Sequence, residues 1–171
     1  IDQTPWELAE ILTNTGLEVE HVEPFSMVPG GLKGLVVGEV INKEKHPNAD
    51  KLSVALVDIG RDTPLNIVCG ASNLGIGQKV VVATVGTTIH PINGECFTIK
   101  KAKLRGEPSE GMICAEDEIG LGSSHEGIMV LDNQIQVGTL LSTLYNIYED
   151  FVFEIGLTPN RTDAMGHIGV A

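Results

Sequence analysis

Aromatic residues are few. Four Phe, two Tyr and one Trp make up 4% of the 171 residues. Val, Ile and Leu must therefore fill any core, and base stacking on aromatic platforms has little to draw on. No window reaches the ~18 uninterrupted apolar residues of a membrane-crossing helix. No charged-then-apolar leader is present, so neither secretion nor a membrane partner is expected. The three cysteines, Cys69, Cys96 and Cys114, are odd in number and lack C-x-x-C spacing. That excludes a disulfide framework and a zinc knuckle, and leaves small buried residues in a reducing, cytoplasmic setting as the expectation. The sequence opens at Ile1 and closes in the apolar run Met165–Ala171, so it reads as a piece of a longer polypeptide.

Basic charge is also short: 11 Lys and Arg stand against 23 Asp and Glu, for a net charge of −12. Phosphate affinity comes mainly from Lys and Arg, so the sum argues against nucleic acid. The distribution argues the other way. Seven of the 11 basic residues fall in two short stretches: Lys43, Lys45 and Lys51, then Lys100, Lys101, Lys103 and Arg105. The acids are dispersed, with a concentration before Pro24.

What is present is punctuation and patterning. Thr4-Pro5 with Glu7 has the form of a capping box opening a helix that Gly16 can end. Leu17–Val22 alternates as a strand, and the Pro- and Gly-rich stretch from Pro24 to Gly34 reads as a linker. From Leu35 the chain turns to short β-branched runs: Leu35–Ile41, Leu52–Ile59, Leu65–Cys69, Lys79–Val85, Phe97–Leu104 and Ile128–Leu131. Asn93-Gly94 signals a hairpin leading into the Phe97–Leu104 return, with Phe97 expected in the core. Six such strands separated by polar turns predict a closed barrel or sandwich, not a parallel α/β sheet. Gly138–Tyr148 is expected to be a helix closing the barrel. Phe151–Leu157 is a further strand, and Asp163 is placed to cap a helix.

Several chemistries drop out. Gly70–Gly75 has phosphate-loop glycine spacing, but Ile76-Gly77 stands where Lys and Ser/Thr are needed, so a tight turn is the reading. No nucleophile elbow surrounds Cys69 or Cys114, and His46 and His90 each precede proline. Five scattered histidines make no metal site.

Phe97–Gly106 is different. In an extended chain alternate residues share a face, so Lys101, Lys103 and Arg105 would project together at spacings of ~7 Å, near that of RNA phosphates. The plain alternative is a charged edge strand that resists aggregation.

Three motifs weigh between them: His46-Pro-Asn-Ala-Asp-Lys-Leu52, Ile67-Val-Cys-Gly-Ala-Ser-Asn73 and Lys103-Leu-Arg-Gly-Glu-Pro-Ser-Glu-Gly-Met-Ile-Cys114. Together they resemble the tRNA-binding barrel family, an oligonucleotide-binding (OB) fold appended to several aminoacyl-tRNA synthetases and accessory proteins. The flanks, Gly16-Leu-Glu-Val-Glu20 and Glu154–Ala164, resemble the N-terminal region of the bacterial phenylalanyl-tRNA synthetase β subunit. Ala115 departs from the family, standing where serine is common.

The resemblance implies a mainly β protein, an OB-fold barrel (34–150) inserted into a small discontinuous α+β domain (1–33 and a truncated 151–171). The whole enzyme would join phenylalanine to tRNA on a partner α subunit. ATP and magnesium would be used outside this stretch, and editing would lie further along the β subunit. This stretch would be non-catalytic, with tRNA, the α subunit and the rest of the β subunit as partners. Phosphate contact is assigned to Lys43, Lys45, Lys51, Lys101, Lys103 and Arg105, about four to six phosphates in all. His46, whose Pro47 stiffens the loop, belongs to the same RNA-binding set, and Asn73 is assigned a base or ribose. Asp50 is expected to fix its loop by accepting backbone donors, and Ser109 to cap the turn before Met112. The alternatives are the same barrel on another host, or a subunit-interaction module with little RNA binding, which the acidic charge favours.

Overall fold

The computed structural model describes residues 2–171. The chain runs α1 (Pro5–Asn14), β1 (Glu18–Ser26), a 3₁₀ segment (Pro29–Leu32), β2 (Leu35–Lys45), β3 (Ser53–Asp58), β4 (Leu65–Cys69) and β5 (Lys79–Thr84). Short strands follow: β6 (Thr88–Ile89), β7 (Phe97–Thr98), β8 (Ala102–Leu104), β9 (Glu107–Ser109), β10 (Gly111–Ile113) and β11 (Val130–Leu131). The last elements are α2 (Leu141–Leu144), β12 (Glu149–Gly156), a 3₁₀ turn (Thr162–Ala164) and α3 (His167–Val170). No helix among the described residues is long and apolar enough to cross a membrane.

The chain forms two compact units: residues up to Ser26 with Tyr148–Ala171, and Met27–Ile147 between them. These divisions lie seven residues before 33/34 and three before 150/151. Val28 and Leu32 are buried in the barrel unit's own core, and β12 already begins at Glu149.

In the discontinuous unit, Thr4 Oγ1 accepts from Glu7 N at 3.3 Å and Glu7 Oε2 accepts from Thr4 N at 2.8 Å, so the capping box forms. β1 and β12 pair antiparallel from Glu18 opposite Gly156 to Ser26 opposite Glu149, which brings the strands around Val19 and Val152 together. β1 runs on through Pro24, where a linker was expected. In a two-stranded ladder Pro can turn its missing N–H outward at no cost. Asp163 does not cap a helix. Its carboxylate takes the Arg161 guanidinium at 3.1 Å, which holds it below the usual carboxylate range, and Gly166 stands at the start of α3.

The barrel unit's sheet has the order β10-β5-β2-β3-β4, with β11 also on β5. β2 pairs with β5 over Leu35–Glu39 and with β3 over Glu39–Lys45, with a register shift between Val40 and Asn42. Gly38 sits at this changeover. A Cβ there would lie 2.7 Å from Val57 Cγ1 and 2.8 Å from Val82 Cγ2, so only glycine lets the strand bend so tightly. The far edges nearly close the barrel: Glu110 N donates to Asn66 O at 2.8 Å, and Ser109 Oγ accepts from Val68 N at 3.2 Å. Ser109 also donates to the Gly111 carbonyl, so it spans the bend before Met112 and stitches this seam as well.

Val80 and Val82 point with Val40, Val57 and Ile67 into the barrel, while Val81 and Ala83 face a second cluster with Leu141, Ile89 and Ile119. Both faces of β5 are buried, which is why Lys79–Val85 reads as a continuous β-branched run. Of the helix expected over Gly138–Tyr148 only the single turn of α2 forms, and it contributes the fully buried Leu141.

Two expectations fail here. Phe97–Leu104 is not one strand: β7 pairs with β6, the chain breaks at Lys100-Lys101, and β8 pairs with β9. Asn93-Gly94 lies in the 90–96 loop of the β6–β7 hairpin, so the expected hairpin forms, with a longer loop than a two-residue turn. The tight turn is Arg105-Gly106, with φ of 50° and 106° and Leu104 opposite Glu107, the backbone of a primed two-residue hairpin. Phe97 is exposed and Ile99 is buried in its stead. Cys69 and Cys114 are buried as expected, and burial pushes both thiols further from ionisation. Cys96 is exposed, with Sγ 3.2 Å from His90 Nδ1.

Candidate nucleic-acid interface

The β2–β3 loop closes on its own backbone: His46 N donates to Leu52 O at 3.0 Å and Leu52 N to Ala49 O at 3.1 Å. The His46 ring is buried beneath it. Nδ1 lies 3.1 Å from Asn48 N, which can only donate, and Nε2 lies 3.0 Å from Leu104 O, which can only accept. These partners assign the neutral ring with its proton on Nε2. Asn48 Nδ2 adds a 3.2 Å bond to Arg105 O. Both His46 ring nitrogens are thus engaged within the protein. His46 and Asn48 latch the β8–β9 turn onto the β2–β3 loop, joining the two basic stretches.

The cations differ in their freedom. Lys43 is half-buried and donates to Leu74 O at 2.7 Å, with no carboxylate partner among the described residues. Lys45 pairs with Asp50 at 2.8 Å, both largely exposed; the pair adds little stability, but the carboxylate offsets the charge that Lys45 can offer a phosphate. Asp50 thus takes a lysine and, among the described residues, no backbone donor. Lys101 pairs with Glu110 at 2.6 Å, and this contact is the main reason the Glu110 carboxyl sits below the usual range. Lys101 is outside β8 and Arg105 is in the turn, so the alternating spacing across Lys101, Lys103 and Arg105 does not hold. Lys51, Lys103 and Arg105 are exposed and, among the described residues, carry no ion pair. Lys43, Lys45 and Lys51 line a shallow groove of about 440 Å³ with the Gly70–Ser72 loop.

Asn73 is committed elsewhere. Its Nδ2 donates to Ile128 O at 2.9 Å and its Oδ1 accepts from Ile128 N at 3.0 Å. Gly127 lies so close that a Cβ would come 2.3 Å from that oxygen. This clamp fixes one wall of a second cavity, of about 390 Å³, on the other side of Gly70–Ser72. Ile113, Ala115, Glu118, His125 and Glu126 also line it. Glu118 Oε2 accepts from Ala115 N at 2.7 Å. His125 Nδ1 lies 3.0 Å from Asp117, whose hydrogen bond and then charge raise the imidazole pKa. The motif reading missed this cavity and Asn48. The His-Pro-Asn turn chemistry signals the loop, but nothing local signals a partner 58 residues away.

The family model described as "Putative tRNA binding domain" matches residues 35–140, which lie within the barrel unit. The chain is 54% identical over 170 residues to the phenylalanine–tRNA ligase β subunit of Bacteroides thetaiotaomicron, covering 99% of this chain and 21% of that protein. It is 49% identical over 173 residues to the protein of the same name from Bacillus subtilis, covering 98% of this chain and 20% of that one. Both matches include the flanking unit as well as the barrel. The chain spans about a fifth of the length of these curated relatives.

Proposed function

Because the chain belongs to the tRNA-binding domain family, we propose that its barrel holds the phosphate backbone of tRNA as one module of a phenylalanine–tRNA ligase β subunit. The observation that carries this is the latch from His46 and Asn48 to the β8–β9 turn. It sets Lys103 and Arg105 beside Lys43, Lys45 and Lys51 on a protein that is otherwise acidic. Lys101 is tied to Glu110 and Lys45 is partly neutralised, leaving four cations for phosphate: Lys43, Lys51, Lys103 and Arg105.

Four neutralised phosphates give a log–log salt slope of about −3 at ~0.7–0.9 each. The surrounding negative charge keeps affinity near the non-specific range, ~10⁻⁴ to 10⁻⁶ M. Other parts of the enzyme would supply the rest of the affinity through linked contacts. The whole cytoplasmic enzyme would charge tRNA with phenylalanine, using ATP and magnesium on a partner α subunit. This stretch would contribute binding alone. Titrating bulk tRNA into the chain at several salt concentrations tests the proposal. Salt-dependent binding with that slope supports it, and an absence of binding at low salt removes it.

A second role rests on the flanking unit. A groove of about 650 Å³ there is lined by Leu12, Phe151, Phe153, Ile155, Met165 and Val170 among others, an apolar surface suited to the remainder of the β subunit. The interaction reading then applies to this unit, beside RNA binding by the barrel.

A further inference from the structure

The Gly70–Ser72 loop has a basic groove on one side and an acidic cavity on the other. The groove suits phosphates, which the Glu118 and Glu126 carboxylates would repel from the cavity. At about 390 Å³ the cavity falls within the ~300–1,000 Å³ range of small-molecule sites. Ile113, Ile128, Ala71 and Ala115 supply apolar walls for the faces of a flat ring. The Asn73–Ile128 clamp holds one wall in place before any ligand arrives. Glu118 is half-buried and anchored through Oε2 on the Ala115 amide. Its other oxygen has no hydrogen-bond partner among the described residues.

We infer that this cavity takes one unstacked guanine from the RNA strand whose phosphates lie in the adjoining lysine groove, with Glu118 accepting from its Watson–Crick edge. The inference rests on the RNA-binding reading and adds base selectivity at one nucleotide. A carboxylate offers only acceptors. Guanine presents two adjacent donors, N1–H and the N2 amine, and can pair with it twice. Adenine and cytosine present one amine beside an acceptor. The uracil N3–H lies between two carbonyl oxygens that the carboxylate repels. Recognition of unstacked bases through their Watson–Crick edges is the usual route to sequence preference in single-stranded RNA.

The experiment uses fluorescence anisotropy with labelled single-stranded pentamers, UUGUU and UUUUU, on the whole chain at fixed ionic strength. A bidentate pair is expected to favour the guanine strand by roughly 5- to 150-fold. Glu118→Gln retains a carbonyl for the Ala115 amide but loses the second acceptor, so the preference should fall to less than about 2-fold. Equal binding of both strands by the unaltered chain overturns the inference, and so does a preference that survives Glu118→Gln. Salt-dependent binding of UUUUU without a guanine preference overturns this inference alone. Failure to bind either strand overturns it together with the RNA-binding reading. The comparison on the unaltered chain decides the matter even if the variant does not fold.

Discussion

The buried His46 imidazole donates through Nε2 to the Leu104 carbonyl across 3.0 Å, tying together residues 58 apart in sequence. The bond joins the β2–β3 loop and the β8–β9 turn, which carry the two clusters of cations. His46→Ala leaves the Leu104 carbonyl and the Asn48 amide without their partner, at a cost of about 1–3 kcal/mol. Urea unfolding should show that loss, and tRNA titration should show weaker binding although no cation has been removed. Asn48→Ala removes the more exposed bond to Arg105 and should cost less than about 1.5 kcal/mol. Native tRNA affinity in both variants would show that the latch does not organise the surface.

His125 offers a pH test. The hydrogen bond that His125 Nδ1 donates to the Asp117 carboxylate, reinforced by that group's charge, raises the imidazole pKa above that of a free histidine. The stabilisation is fully present below the free value and is lost as pH rises through the raised one. Imidazole proton shifts followed by NMR should titrate above the usual histidine midpoint, and Asp117→Asn should bring the midpoint back down. An unchanged midpoint in that variant would mean the pair does not form in solution.

Packing inside the barrel makes a third prediction. Ile67 is fully buried against Val57 and Val82 in the same cluster. Ile67→Ala should cost about 2–5 kcal/mol through lost burial and a residual void, against about 0.5–1.5 kcal/mol for Ile67→Val. Chemical denaturation measures both, and equal costs would mean the barrel interior collapses around the deletion.

Local signals in the chain reached some features and not others. The capping box at Thr4 and Glu7, the doubly buried β5 and the adjacency of the Val19 and Val152 strands all follow from patterns or motifs within short stretches. The fate of each cation does not. Lys101 and Lys103 look equivalent in sequence, but Lys101 meets Glu110 across the base of the β8–β9 ribbon, while Lys103 carries no ion pair among the described residues. Asn73 and His46 were chosen as polar residues in binding motifs. Asn73 spends its amide on backbone 55 residues away, and His46 spends one ring nitrogen on the nearby Asn48 amide and the other on backbone 58 residues away. Long-range pairing of that kind leaves no local trace. Asn93-Gly94 marks the β6–β7 hairpin but not its loop length, and the tight two-residue turn falls instead at Arg105, which adopts positive φ despite its side chain.

In the proposed function Lys103 and Arg105 bind phosphate together with the β2–β3 loop lysines. The direct measurement is the tRNA affinity of the Lys103→Ala, Arg105→Ala double variant across a range of salt concentrations. Removing two of four phosphate contacts should weaken binding of all tRNAs alike and flatten the log–log slope by about 1.4–1.8, from about −3 toward half that value. A double variant that binds tRNA as tightly as the parent, with the same salt slope, would contradict the account. The β8–β9 ribbon would then be a charged edge that resists aggregation.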